Sequence, residues 1–206
     1  MKKKTIAIIA VTTTIFIMTC FLAFDTYNKK SATLNKEIPT YAIYSDYTLD
    51  IDNPNEVVGD ADYVFVGKVA SDTGTTYKNK TPMEQENGEV IYIGEAYTHY
   101  QIEVITNLKN ELNLSDSIPI EKQGGIREDG SAYDVFEEDQ LPKVGNIYIF
   151  TAYRQDNGSL LVAGANSTIS FDEKTKDIDS SKEVRKTEEV ELYEKAVENQ
   201  VWIMEE

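Results

Sequence analysis

The chain has 206 residues, with 36 acidic against 20 basic side chains, one histidine and one cysteine. Residues 1–30 hold five lysines and one aspartate, which leaves 15 basic and 35 acidic groups, a net of −20, on residues 31–206. Such a surface repels phosphate backbones and anionic headgroups, which excludes nucleic acid as a partner. With its only cysteine at position 20, the rest of the chain has no disulfide and must be held by its core.

Lys2, Lys3 and Lys4 precede an uncharged run of 20 residues from Thr5 to Phe24, closed by Asp25 and then Lys29-Lys30. At about 1.5 Å per residue this run can cross the hydrocarbon core as a helix. It holds five threonines, which bond back to their own helix at small cost. A cleaved signal needs small residues before the cut, and Phe21-Leu22-Ala23 fits poorly. A lipoprotein signal at Cys20 is preceded by Ile17-Met18-Thr19, where a small residue usually stands. The expectation is an uncleaved single-pass anchor over 5–24 with the domain outside the membrane, a secreted or lipidated form being the alternatives. Residues 25–40 then read as a polar stalk.

The domain is expected over 41–172. "YAIYSDYTLDI" (41–51) alternates loosely, as an extended lead-in. In "NPNEVVGDA" (53–61) Asn53 supplies an N-cap oxygen and Pro54 occupies the first helical position, where no N–H is missed. The strand at 62–70 is apolar on both faces, with Tyr63, Phe65 and Val69 on one side and Val64 and Val66 on the other. Residues 71–88 read as a long polar loop, too long for a tight hairpin and mobile. "EVIYIG" (89–94) leads into a strand at 97–106, where Tyr100, Ile102 and Val104 share a face. The short strand at 117–123 contains Pro119, which suggests an edge. Residues 124–145 read as a second long acidic loop. The strand at 146–153 is apolar on both faces, Asp156-Asn157-Gly158 is a hairpin signal, and 159–165 and 167–171 complete the sheet.

Short strands with no helices between them argue for a mainly β, antiparallel domain. Two strands apolar on both faces must be covered on both sides, as in a small barrel with a helix packed outside. Gly67 and Gly164 then mark bends or close backbone approaches. The cover is expected in 173–206. Ser180 and Glu183 suggest a capping box, and a single helix follows to Met204 with Val190, Tyr193, Val197, Val201 and Met204 in one stripe. Packing on the barrel is expected of this stripe, docking of a partner helix being the alternative. Trp202 falls on the polar side.

The stretches "VVGDADYVFVGKV", "THYQIEVITNLKNEL", "IPIEKQGG", "VGNIYIFTAYRQDNGSLLVAG" and "NSTISF" resemble, in that order, a loose group of exported bacterial domains. The resemblance covers roughly residues 53–172 and implies export and a small OB-type barrel, as in tissue inhibitors of metalloproteases. Asn110 stands where the group has glycine after lysine, and asparagine tolerates the left-handed turn required there. The inhibitors' zinc-chelating N-terminal cysteine has no counterpart, so metalloprotease inhibition is not implied. No activity is implied either.

The residues name no catalytic, cofactor-binding or metal set. His99 is the one histidine and alternates with Gln101 and Glu103 on the face opposite Tyr100, so an exposed strand position is expected. No G-x-S-x-G elbow occurs. Glu137-Glu138-Asp139 reads as a solvated acidic run. Asp50, Asp52, Asn53 and Asn55 offer oxygens to calcium, but Pro54 and a missing glycine break the loop spacing. "NST" (166–168) fits a glycosylation sequon. The expected function is therefore a monomeric, membrane-anchored extracytoplasmic module that binds a protein or cell-wall ligand and is not an enzyme. A cell-envelope hydrolase using a carboxylate pair is the alternative.

Overall fold

The computed structural model describes residues 38–171 and 180–202. The expected anchor at 5–24 with Cys20, most of the stalk, and Met204 lie outside the described residues. The domain begins at Pro39.

Its elements are β1 (Thr40–Ile43), α1 (Pro54–Asp60), β2 (Tyr63–Glu84), β3 (Val90–Lys109), β4 (Ser117–Gln123), β5 (Gly125–Ile126), β6 (Tyr133–Phe136), β7 (Ile147–Arg154), β8 (Leu160–Val162), β9 (Thr168–Ser170), α2 (Ser181–Val184) and α3 (Glu188–Glu198). The domain is mainly β. β2 pairs antiparallel with β3 and β7, β3 with β4, and β7 with β8, while β4 pairs parallel with β8. Followed around, these pairings return to β2. β9 joins Tyr148–Phe150 of β7, and β1-β6-β5 form a separate small sheet.

The doubly apolar strands are covered on both sides, as their sequence requires. Tyr63, Phe65 and Val69 of β2 meet Tyr100, Ile102, Tyr148 and Phe150 in one cluster, with the Phe65 and Phe150 rings 5.4 Å apart. Val64 and Val66 face the other way, into a cluster with Val58, Ile149, Val190, Tyr193 and Ala196. A Cβ at Gly67 would overlap the Ile102 side chain, and Gly164 sits at φ +87° beside Tyr47. Gly67 therefore serves a close approach and Gly164 a left-handed bend of the backbone.

Two expected loops are strands instead. Residues 71–88 are not a free loop: β2 runs on to Glu84 and pairs with β3 as far as Glu84 opposite Val90, forming a long two-stranded arm. Thr73, Thr75, Thr76 and Tyr77 suit strands, and they read as loop only because no core lies beneath to impose alternation. Residues 124–145 contain β5 and β6, and β6 pairs parallel with β1.

The C-terminal helix is also divided. α2 ends at Val184, and α3 starts afresh behind Thr187, whose Oγ1 accepts the Val190 N–H at 3.3 Å. A threonine that can cap competes with helix continuation. Arg185, in the intervening turn, pairs with Glu194 and donates to Thr106 Oγ1 at 2.6 Å. Ser180 meets the Glu183 side chain at 3.0 Å but caps no helical N–H. Val184, Val190, Tyr193 and Ala196 form the buried seam, whereas Val197 is only half-buried and Val201 is exposed.

Trp202 has a structural place that its sequence position hides. Its ring lies 4.6 Å from Lys109 Nζ, which donates to the carbonyls of Val58 at 2.6 Å and Gly59 at 3.1 Å. Lys109 thus satisfies the C-terminal carbonyls of α1. The Val201 N–H donates to Asn55 O at 3.0 Å, and a Cβ at Gly59 would overlap the Val201 carbonyl. Asn110 has φ +56° and donates to Asp62 O at 2.6 Å, filling the turn expected of it.

Burial pushes the phenols of Tyr97 and Tyr193 up to about 12, the Glu95 hydrogen bond adding to the shift at Tyr97. Burial raises Tyr100 and Tyr153 as well. Each group keeps in the folded state a proton that the unfolded chain releases above about pH 10. Stability should therefore be constant in this respect below pH 10 and fall as pH rises from 10 toward 12. Tyrosinate absorbance and circular dichroism titrated together test this. Phenols that all ionise near 10 with the fold intact would contradict it.

Candidate binding face

The outer side of β3 and β4 carries a groove of about 410 Å³ with a mixed polar and apolar lining. His99 lies opposite Glu121 in the β3–β4 register, and the odd-numbered residues of β3 face away from the Tyr100–Ile102 core. The His99 Nε2 is 2.8 Å from Thr76 Oγ1 and 3.8 Å from Glu121 Oε1. Lys78 Nζ donates to Glu121 Oε2 at 2.7 Å and lies 4.6 Å over the Tyr97 ring. The Tyr97 hydroxyl in turn donates to Glu95 Oε2 at 3.1 Å. Thr73, Gln101 and Pro119 continue the lining, and the Asn157–Ser159 turn closes one end. Within that turn Asn157 Oδ1 accepts both the Ser159 N–H at 2.9 Å and its hydroxyl at 2.7 Å. His99 is therefore half-buried in a cluster, with a side chain 35% exposed, rather than on an open strand surface.

A second polar cluster is sealed inside. Asp139 does not belong to a solvated run: Glu137 and Glu138 are exposed, but the Asp139 and Lys122 side chains are both 0% exposed and paired. Lys122 Nζ also donates to Ser167 Oγ at 2.6 Å, and Asp139 Oδ1 accepts the Thr168 N–H at 3.0 Å. Burial lowers the Lys122 pKa, and the Asp139 charge opposes that shift. A serine beside a lysine is a nucleophile arrangement in principle. Here every member is closed off from substrate, so the cluster ties β4 to the start of β9.

A cleft of about 490 Å³ lies beside the far end of the arm, lined by Met83, Ile91, Tyr92, Ile93 and Gly94 on one side and by Arg127, Glu128, Asp129 and Asp134 on the other. Arg127 grips Asp134 with two hydrogen bonds of 2.8 and 2.6 Å, and Lys80 grips Glu128 at 2.9 Å.

The oxygens that offered a calcium loop close their own turn instead. Asp50 Oδ1 accepts the Asp52 N–H at 3.1 Å, Asn53 Oδ1 accepts the Asn55 N–H at 3.1 Å, and Glu56 accepts the Asp50 N–H at 2.8 Å. No group of three or more potential metal ligands of the His, Cys, Asp or Glu type gathers among the described residues. Asn166 of the sequon is held at φ +51° with its amide nitrogen donating to Ile51 O at 2.9 Å.

These features define a mainly β domain with a six-stranded sheet, a C-terminal helix and a surface groove on β3 and β4. No protein-family model matches the chain, and no curated protein matches it. The groove was not legible in sequence because its lining comes from four separate segments. The one local signal was the polar set His99, Gln101 and Glu103 alternating with core residues.

Proposed function

We propose that this chain is a non-enzymatic binding module, held outside a membrane by residues 5–24, whose domain is an OB-type barrel with a ligand groove on β3 and β4. The barrel reading is supported by the pairing order β2-β3-β4-β8-β7 and back to β2, with β4 and β8 parallel. In such barrels the face of the second and third strands receives extended ligands, flanked by the loops between strands one and two and between four and five. The corresponding face here carries His99, Gln101 and Glu121, flanked by Thr73 and Thr76 of the arm and by Asn157 and Ser159.

The composition of that groove carries the reading. It presents hydroxyls, amides and an imidazole beside the apolar surfaces of Tyr100, Pro119 and Ile120, with Glu121 as its one lining carboxylate, already held by Lys78. A polyanion is repelled by a domain with a net charge of −20 on residues 31–206. A hydroxylated or amino-bearing cell-wall polymer fits both facts. The hydrolase alternative needs a second carboxylate across the groove, about 5–9 Å from the first, and the lining supplies one only.

Calorimetric titration of the full chain with soluble cell-wall glycan fragments tests the reading. Gln101→Trp fills the groove from the solvent side and should weaken binding about tenfold or more, with a melting temperature near the parent's. Parent protein that binds no fragment, or a Gln101→Trp variant that binds like the parent, would rule out the groove as the ligand site.

A further inference from the structure

The arm has two open edges, and they are not alike. The free edge of β2 is blunted: the register breaks between Lys78 and Thr81, Asn79 sits at φ +50°, and Pro82 has no N–H to offer. β3 carries no such device. From Val90 to Ile93 it pairs with β2 in unbroken register, opposite Glu84 to Thr81. Among the described residues, its Val90–Glu95 stretch pairs with β2 alone, and the next backbone contact on the outer edge is Gly124 N–H to Ala96 O at 2.8 Å. An exposed edge with unused N–H and C=O groups is a template for another strand.

The side chains beside that edge are unusually apolar for so acidic a protein. Val90 is 53% exposed, Tyr92 63% and Met83 52%, and the 490 Å³ cleft runs past Ile91, Tyr92 and Ile93. The far wall is charged but mostly self-neutralised, since Arg127 is taken by Asp134 and Lys80 by Glu128. Asp129 is the surplus charge, its Oδ1 accepting the Ser131 N–H of its own loop at 2.9 Å.

We propose that the Val90–Glu95 edge of β3 captures an extended segment of a partner protein as an added strand. The segment's apolar side chains enter the cleft, and a lysine or arginine meets Asp129. Main-chain hydrogen bonds supply affinity in this mode, and pockets for alternate side chains supply selectivity. Charge decides the occupant: a second copy brings the same net of −20 and is repelled, whereas a basic segment is drawn in. This surface is separate from the β3–β4 groove, so the proposal does not depend on the ligand assigned there.

Three fluorescent hexapeptides provide the test against the full chain. One alternates valine with lysine, one alternates valine with glutamate, and the third is the lysine peptide N-methylated on every residue, which removes its backbone donors. The lysine peptide should bind about tenfold or more tighter than either of the others, and Asp129→Lys should abolish the preference over glutamate. Hydrogen exchange should show new protection within Val90–Glu95 only when that peptide is bound. Equal binding of the N-methylated peptide, no binding of any peptide, or protection in the peptide-free chain of those Val90–Glu95 amides that do not bond to β2 each overturns the proposal. The last result would assign the edge to a second copy or to another segment of this chain. None of these outcomes bears on the Gln101→Trp titration, which reads the other surface.

Discussion

Asp139→Ala should cost the domain about 3–5 kcal/mol, out of a total stability on the order of 5–15 kcal/mol. The reason is the partner it abandons. The Lys122 ammonium is 0% exposed and would retain Ser167 Oγ as its remaining hydrogen-bond partner. An uncompensated buried charge is far more costly than the original pair was favourable. Replacing both members, as Lys122→Met with Asp139→Leu, should recover most of the loss. It should still leave about 1–3 kcal/mol, because the Thr168 N–H loses its acceptor. The single variant should also respond to pH. Without Asp139, burial alone acts on Lys122 and lowers its folded pKa further below the ordinary 10.5. The unfolded chain then binds more protons between those two values, so the variant should gain stability as pH rises toward 10. Urea unfolding of parent, single and double variants at two pH values below 10 reads all three effects. A single variant as stable as the parent would mean that the pair does not form.

Val190→Asp should be comparably damaging, at about 3–5 kcal/mol. Val190 is 0% exposed and packs with Val58, Val64, Val66 and Ile149, where a carboxylate finds no partner. Val197→Asp, at the half-buried margin of the same helix, should cost about 1 kcal/mol. Glu198→Lys, on the exposed face, should change stability by under about 0.5 kcal/mol. Thermal melts of the three variants rank them. If Val190→Asp melted like the parent, α3 would not be the cover of β2 and β7, and its stripe would be free for a partner helix.

The groove and the arm edge lie along one strand. β3 presents His99 and Gln101 to the groove and, further out along the arm, Val90–Glu95 to an open edge.

What sequence determined in this protein is local chemistry and period. Asn53-Pro54 starts α1 because a side-chain oxygen and a missing N–H are satisfied within a few residues. Asn110 and Gly158 take positive φ for similarly local reasons, at +56° and +82°. The two doubly apolar strands announced that both their faces were covered, since water would penalise either arrangement in which one was not. Tertiary structure alone decided the rest. Residues 71–84 are strand because a partner stretch of β3 supplies backbone hydrogen bonds, and the polar 71–84 stretch has no period-two signature to announce the pairing. The α2–α3 break depends on Thr187 capping a helix whose seam faces Val58 and Val64, and the lack of any Gly or Pro between Ser180 and Met204 conceals it. Asp139 carries the same local pattern as its exposed neighbours Glu137 and Glu138. Only the approach of Lys122, Ser167 and Thr168 from distant segments makes it a buried ion, because a charge leaves water when its partners are assembled around it, and no short stretch of sequence contains them.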